Sequence, residues 1–329
     1  MVSPALTSIT GPLLFGPVQI DMALPMNVAL DAAREAFECI VKQPECADAP
    51  ARVPLSLGGG TCSVMAASHP DIGLLARLVS VSPGERERGR PAVSGLAIFA
   101  DHETGAPIAV FDGACLATLR AAAASALVSD RLARRDACVA AVLGCGRLAR
   151  AHILALTAVR NFDEIRVWGR DSERVAKTIA RLRGRVAPRL VAASSPAAAI
   201  DDADVVTTAT GSTSPLFEGR MLAEHAHVNA IGGFRPGIRE VDIETVSSSR
   251  VFVDHRASAM ADAGDLMAAV TVGRSDPREW VEFGAQLGRP IEPIRGRTLF
   301  KSMGLPIQDL VLARRAVARE RKSVGRAWV

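Results

Sequence analysis

Tyrosine is absent from this chain, and phenylalanine and tryptophan together supply only 4% of its residues. Surfaces that stack nucleic-acid bases are built from such rings. The 39 Lys and Arg are mostly Arg, scattered among 35 Asp and Glu with no basic stripe, so nucleic acid is a poor partner. Cysteine is sparse. Cys39, Cys46, Cys62, Cys115, Cys138 and Cys145 form no Cys-x-x-Cys pair, and no His cluster has metal-ligand spacing. No metal centre is expected, and the thiols read as small apolar side chains in a reducing compartment. No apolar run reaches the length that spans a bilayer, and the first residues lack the basic stretch and apolar core of a signal peptide. No membrane partner and a cytoplasmic location are expected. No segment repeats at a fixed period.

What is present is an ordinary globular composition: 49% apolar, 22% charged and a net charge of +4 over 329 residues. That length can hold two domains, each with its own core. The most informative stretch is Val139-Ala140-Ala141-Val142-Leu143-Gly144-Cys145-Gly146-Arg147-Leu148-Ala149. It opens as a short apolar run suited to a strand buried on both faces, breaks at two glycines, and continues as a helix from Leu148 to about Val159. Gly-x-Gly-x-x-Ala between strand and helix is the dinucleotide fingerprint. Gly144 permits the tight turn, Gly146 lets backbone approach a pyrophosphate, and Ala149 lets the helix lie close on the sheet. Taken alone the triplet is a weak signal, and an ordinary Gly-rich turn is the plain alternative.

The flanking pattern strengthens it. From Ala137 onward strands are expected at 139–143, 164–168, 189–192, 204–209, 227–231 and 250–254. Helices are expected at about 147–159, 171–182, 195–200, 216–224, 241–248 and 256–269. That alternation predicts a doubly wound parallel sheet of Rossmann type. The preceding residues read differently. A helix is expected over 20–40 and strand-like runs at 52–57, 61–67 and 77–81. Ser82 to Pro91 reads as a solvated polar loop, and a hairpin is expected over 93–99 and 107–111. This is a mainly antiparallel α+β pattern. An Ala-rich helix over 116–132 has side chains small enough to pack closely on a sheet or a cofactor domain. The tail from Gly304 to Arg321 reads as a helix returning to the first domain, because the Rossmann unit looks complete without it.

After the second strand of such a unit an acid usually holds the ribose 2′-hydroxyl. Here Gly169 takes that place and Arg170-Asp171-Ser172 follow. An Arg beside a Ser can hold a 2′-phosphate, which favours NADP(H) over NAD(H). The alternatives are Asp171 turned in to the hydroxyl, or Arg170 as a plain surface charge. Thr207-Thr208-Ala209-Thr210-Gly211 and Gly232-Gly233 end the fourth and fifth strands, where open α/β sheets bind ligands; each could also be only a tight turn.

These segments, in this order, resemble the ornithine cyclodeaminase/mu-crystallin family over nearly the whole chain. The matching segments are Ser63-Val64-Met65-Ala66-Ala67, Ala109-Val110-Phe111-Asp112-Gly113, Thr118-Leu119-Arg120-Ala121-Ala122-Ala123 and Gly144-Cys145-Gly146. Further on, Ala203 to Thr210, Ile231-Gly232-Gly233, Val251-Phe252-Val253-Asp254 and Phe300 to Leu310 also match. The resemblance implies a homodimer and binding of NAD(H) or NADP(H). It also implies a first domain, residues 1–125 with 300–329, that binds substrate and pairs subunits, beside a dinucleotide domain over 126–299. It places substrate contacts on Arg52, Arg77 and Arg120. It places cofactor contacts on Arg120, Gly146, Arg147, Leu148, Arg170, Thr210, Gly232 and Ser302, to which the fingerprint adds Gly144.

From the residues themselves, guanidinium forks match an amino-acid carboxylate, although a solvated surface Arg is the default in an Arg-rich chain. Arg120 departs from that default, because it sits among small apolar residues where a charge needs a partner. The departures from the family pattern also carry information. Arg77 stands where Lys is usual, Arg120-Ala121-Ala122-Ala123 replaces Arg-Thr-Ala-Ala, Ala92 replaces a cofactor-side Thr, and Phe234 replaces the acid of cyclodeaminases. Hydride transfer to a protonated imine needs only a nicotinamide, a carboxylate clamp and a shielded pocket, to which Phe234 could add an apolar wall. The expected function is therefore NAD(P)H-dependent reduction of an α-imino acid or cyclic ketimine, such as pyrroline-2-carboxylate, to an L-amino acid, or the reverse oxidation. Ornithine or lysine cyclodeamination is the alternative, and a non-catalytic dinucleotide-bound binding protein is the second. No catalytic proton donor stands out; His69 and Asp309 are the weak candidates.

Overall fold

The computed structural model describes residues 11–46, 52–86, 88–233, 235–289 and 295–326. They form two compact units, one drawn from Met1–Pro25, Gln43–Ala117 and Pro306–Val329, the other from Met26–Lys42 and Thr118–Leu305.

The first unit is a six-stranded sheet. Its strands are β1 (Leu13–Phe15), β2 (Val53–Leu57), β3 (Gly60–His69), β4 (Gly73–Val81), β5 (Val93–Ala100) and β6 (Pro107–Asp112). They lie in the order β1-β6-β5-β4-β3-β2, antiparallel except where β1 runs alongside β6. The β5–β6 turn is tied by the Asp101 carboxylate, which accepts from the Glu103 and Thr104 amides at 3.2 and 2.9 Å. Side chains alternate between faces. Met65, Leu75, Ala97, Phe99 and Phe111 are buried on one face, and Phe15 stacks on Phe111 at 4.6 Å. The helix Pro306–Arg326 packs against β3 to β6 and buries Ile307, Leu310, Val311, Ala313 and Val317. The tail helix thus returns to this sheet.

The second unit contains an eight-stranded, wholly parallel sheet. Its strands are β7 (Val139–Leu143), β8 (Glu164–Trp168), β9 (Arg189–Ala192), β10 (Val205–Thr208), β11 (His227–Ala230), β12 (Ser249–Val253), β13 (Val281–Glu282) and β14 (Arg297–Lys301). The order is β13-β12-β14-β11-β10-β7-β8-β9. Strand order reverses between β7 and β10, which opens a crevice at their carboxyl ends. Both faces are covered by helices over dense apolar clusters around Ala141, Leu143, Val206 and Val228, and around Val142, Ile153, Ile165 and Val205. The Ala-rich helix, Gly113–Leu132, packs Ala122 and Ala126 against Ala155 of the helix Arg147–Val159, and its Ser129 hydroxyl accepts from Asn229 at 2.8 Å.

Several expectations are corrected. The helix over 20–40 is two helices, Pro17–Ala23 and Met26–Lys42, because Pro25 cannot continue the first. The second of them joins the dinucleotide-type unit, where Phe37 meets Phe283 edge-on at 5.0 Å. The helix over 216–224 is only a tight turn, Gly219–Met221, and the one over 256–269 breaks at Ala263 into Arg256–Asp262 and Gly264–Thr271. The parallel sheet holds two strands beyond those expected, β13 and β14, and β14 inserts between β11 and β12. The units accordingly part at Ala117/Thr118 and Leu305/Pro306 rather than after residues 125 and 299.

Two imidazoles are buried in the second unit. His152 donates Nδ1–H to the Leu148 carbonyl at 2.8 Å, and His227 bridges Thr298 and Asn229 at 2.8 and 3.2 Å. Burial pushes both down to about 4 from the ordinary 6.5. Between those values the unfolded chain binds more protons than the folded one, so stability rises with pH across the window and is lost as pH falls through it. Denaturant titrations of His227→Gln at pH 6.5 and 4.5 should show a loss on acidification smaller than wild type by roughly 2 kcal/mol. An unchanged loss would mean that the imidazole is already charged in the native protein.

Candidate active site

Because β7, β10, β11 and β14 run parallel, the residues that follow them share one edge of the sheet: Gly144 to Gly146, Ala209-Thr210, Ile231-Gly232 and Ser302. Gly144 has φ +138, and a Cβ there would run into the Ala209 carbonyl, so β7 and β10 themselves require glycine. Gly146 differs. A Cβ on it would meet nothing within 4 Å, so no packing of the described protein demands glycine at that position. Gly146 is also the N-cap of the helix Arg147–Val159, and no side chain caps it. A helix N-terminus with no side-chain cap, beside a glycine with space around it, is what a pyrophosphate needs, and the edge fits a dinucleotide. Arg147 and Leu148, the first residues of that helix, are half-buried.

At the end of β8, Gly169 faces Cys145. A Cβ there would come within 2.8 Å of the Cys145 sulfur and 3.2 Å of Val175, so an acidic side chain would have to displace them. Asp171 is occupied as the N-cap of the helix Ser172–Leu182, accepting from the Arg174 amide at 3.1 Å. Arg170 is exposed. The Thr178 hydroxyl donates to the Cys145 carbonyl at 2.8 Å and docks this helix on the glycine loop. Arg174 and Arg181, four before and three after Thr178, share its side of the helix. Burial and the guanidiniums of Arg181, Arg147 and Arg174 push Arg150 below its ordinary value, so four Arg crowd this corner.

The ends of β10 and β11 are held from beneath. Glu240 is fully buried; one carboxylate oxygen accepts from the Thr210 amide at 2.8 Å and from the Thr210 hydroxyl, and the other accepts from the Gly232 amide at 2.8 Å. Burial pushes its carboxyl up. Lys301, at the end of β14, donates to the Gly232 carbonyl and to Asp265, whose other oxygen accepts from the Glu240 amide at 2.7 Å. Ser302 follows, buried, its amide donating to the Ala230 carbonyl at 3.3 Å.

Arg120 lies in this same unit and not in the first, since the division falls before Thr118. It is buried, its guanidinium covers Gly304 (φ +76), and it offsets the Asp254 carboxylate, which accepts from the Gly304 amide at 2.6 Å. Burial is the larger influence and holds Asp254 above its ordinary value.

Arg52 and Arg77 belong to the first unit. Val53 pairs with Val64 and Met65 with Arg77, so Arg52, one residue before the ladder, comes level with Met65 and Arg77 on one face. Two strand spacings separate the two Arg backbones, about 10 Å. Arg77 is buried, its guanidinium 2.8 Å from Asp309 and 3.1 Å from the Met65 sulfur. His69 ends β3, where its Nδ1 accepts from the Asp71 amide at 3.1 Å and fixes the β3–β4 turn, the work of a structural histidine. Ala92 precedes β5, its carbonyl accepting from Ser82 at 2.7 Å. Phe234 lies outside the described residues. Glu240 and Asp265 carried no motif signal; the only hint was an acid set against apolar neighbours, as in Glu240-Val241 and Asp265-Leu266.

The sequence profile of the ornithine cyclodeaminase/mu-crystallin family matches residues 17–323. This chain belongs to that family. It is 30% identical to the ketimine reductase mu-crystallin of Mus musculus over 268 residues, 80% of this chain and 81% of that protein. Its fold is similar to that of the Thermococcus litoralis Δ1-pyrroline-2-carboxylate reductase solved with NADH and L-proline, with a TM-score of 0.89, 26% identity, and 94% of this chain and 98% of that one covered. It is also similar to an archaeal alanine dehydrogenase dimer with bound NAD, with a TM-score of 0.85, 27% identity, and 95% and 97% covered.

The family's fingerprint glycines should separate experimentally. Gly144→Ala should lower stability by about 1–3 kcal/mol, because it strains a left-handed backbone against β10. Gly146→Ala should leave unfolding within about 0.5 kcal/mol of wild type yet weaken dinucleotide affinity roughly tenfold or more. Denaturant melts and fluorescence titration with NADPH and NADH measure both. Undiminished affinity in Gly146→Ala would place the pyrophosphate elsewhere.

Proposed function

We propose that this protein is an NADPH-preferring reductase of α-imino acids, with cyclic ketimines such as pyrroline-2-carboxylate as its substrate class and L-amino acids as products. The reverse oxidation is the same chemistry. The likeness to a pyrroline-2-carboxylate reductase over nearly the full length of both chains carries this reading, supported by the uncapped helix N-terminus beside Gly146. The bound nicotinamide supplies the hydride. The protein has to hold the dinucleotide, seat the substrate carboxylate and keep water out. Gly144, Gly146, Arg147 and Leu148 hold the pyrophosphate, Thr210, Gly232 and Ser302 border the nicotinamide, and Arg120 serves the dinucleotide side. Arg52 and Arg77 take the carboxylate, with Asp309 fixing the direction of the Arg77 fork. An Arg at position 77 cannot readily give up a proton near neutral pH. That suits a substrate that arrives as a protonated imine, which needs only the hydride.

NADPH is favoured for three reasons at the β8 end. Gly169 stands where an acid would hold a ribose hydroxyl, with Cys145 and Val175 packed against it, Asp171 accepts at a helix cap, and Arg170 stands exposed beside a corner already crowded with Arg. The test is cofactor oxidation at 340 nm with pyrroline-2-carboxylate, piperideine-2-carboxylate, and pyruvate with methylamine. Turnover should be faster with NADPH than with NADH. Arg170→Ala should raise KM for NADPH about 10- to 100-fold, the loss of one charge-assisted contact, while KM for NADH barely moves. A wild-type preference for NADH would overturn the role of Arg170, and no imine turnover at all would overturn the reductase.

The chain also reads as a homodimer. On the first unit's sheet, the face opposite Arg77 carries Val53, Val64, Leu78 and Leu96 in one cross-strand row, with Ile98, Val110 and Leu14 beside it. Leu96 is 55% exposed and Leu14 73%. An apolar sheet face of this breadth calls for a partner, and a second copy of this chain is the occupant we assign, in keeping with the dimeric alanine dehydrogenase. Light scattering should give a dimer for the wild type and a monomer for Leu96→Glu with Ile98→Glu; a monomeric wild type would refute the assignment.

A further inference from the structure

Glu240 is an expensive way to fasten two loops. A carboxylate withdrawn wholly from water loses hydration that its contacts must return, and an amide or hydroxyl would join two backbone segments at lower cost. Yet its donors gather at the ends of β10 and β11: the Thr210 amide, the Thr210 hydroxyl and the Gly232 amide just beyond the strands, with the Thr208 hydroxyl at the last residue of β10. Gly232 is gripped on its other side as well, where the Lys301 ammonium takes its carbonyl. Gly232, just beyond β11, is thus fixed at both its N–H and its C=O by buried charged side chains. Asp265 fixes those side chains in turn, accepting from the Glu240 amide, the Val241 amide at 3.2 Å and the Lys301 ammonium. There is no slack around the pair of glycines. A Cβ on Gly232 would strike the Glu240 carboxyl, and one on Gly233 would come 3.0 Å from the Ile238 carbonyl and 3.1 Å from the Lys301 ammonium.

We propose that Glu240 is a positioning residue for hydride transfer: its carboxylate clasps Thr210 to Gly232 and so fixes the seat of the nicotinamide ring. This rests on the reading that Thr210 and Gly232 border the nicotinamide. The role is distinct from holding the fold together, because the clasp joins the mouths of two strands whose ladder is already complete from Val205–His227 to Thr208–Ala230. The clasp is made by Thr210, Gly232, Glu240, Asp265 and Lys301 and includes neither Arg170 nor the glycine loop, the residues that would hold the adenosine half of the cofactor.

The experiment uses the intact protein and reads the two halves of the site separately. Glu240→Gln keeps the shape but turns an amide NH2 toward one of two backbone N–H groups. It should lower kcat about 10- to 100-fold, the usual result of a small misplacement of reacting groups. The primary isotope effect with 4-deuterated NADPH should rise as the hydride step becomes limiting. The fluorescence enhancement of bound NADPH should fall. The affinity for 2′,5′-ADP, which reports the adenosine end alone, should stay within about twofold of wild type. Thr210→Val removes only the hydroxyl arm, guards against a Glu240 variant that fails to fold, and should show the same pattern more weakly. In the double variant the effects should be less than additive. The proposal fails if kcat, isotope effect and NADPH fluorescence all stay at wild-type values. It fails equally if 2′,5′-ADP affinity and Tm drop in step with kcat, since that is the signature of a purely structural acid. If the wild type itself binds neither NADPH nor NADH, the dinucleotide reading falls first, and 2′,5′-ADP binding identifies which half was misread.

Discussion

A single buried ammonium ties together what would otherwise be separate parts of the dinucleotide-type unit. Lys301 ends β14, has no exposed surface, and reaches both the Gly232 carbonyl at the mouth of β11 and the Asp265 carboxylate. An isolated charge in such a place is not tolerated, so the pairing has to be complete, and completing it recruits Glu240 and, through it, Thr210. Removing either partner alone would leave an uncompensated buried ion, which is why the arrangement behaves as one object rather than as four contacts.

The contrast between the two ends of the sheet edge follows from the same logic. At the β10–β11 end, Thr210, Gly232, Glu240, Asp265 and Lys301 hold one another, and geometry is specified to the level of individual backbone atoms. At the β8 end the charges are half-buried or exposed, and the guanidiniums of Arg181, Arg147 and Arg174 bear on Arg150. A rigid seat is suited to a reaction in which two carbons must meet at a fixed separation. A cationic corner is suited to gaining free energy when an anion arrives.

Much of this was legible in the residues. Buried parallel strands announce themselves as short runs such as Val139–Leu143, and β7, β8 and β9 lie where periodicity put them. The glycine loop was legible because the Gly144-to-Ala149 spacing is written in consecutive residues, although the Ala209 carbonyl that also demands Gly144 comes from another strand. The strand β14 was not legible, since Arg297-Thr298-Leu299-Phe300-Lys301 places charges at both ends of a strand that is central in the sheet. Its lysine is tolerated there only because Asp265, 36 residues earlier, is its partner, and no local pattern reveals that pairing. Arg77 was legible as a candidate but not as half of an ion pair, because Asp309 comes from a helix more than 200 residues away. Domain boundaries suffered for a related reason. Met26–Lys42 has the face of any amphipathic helix, and only its packing partners, Phe283 and the Ala122, Ala126 and Ala155 cluster, say to which unit it belongs.

The chain passes between the two units four times, at Pro25/Met26, Lys42/Gln43, Ala117/Thr118 and Leu305/Pro306. No single cut therefore yields either unit whole. During synthesis the dinucleotide-type unit has all of its strands once Lys301 has emerged from the ribosome. The six-stranded sheet, although its strands are made first, cannot cover Leu75, Phe99 and Phe111 until the helix Pro306–Arg326 follows. The part of the protein translated earliest is the last to be sealed. Until then its inner face is bare, and a nascent chain stalled before residue 306 would present that face to chaperones or to other chains.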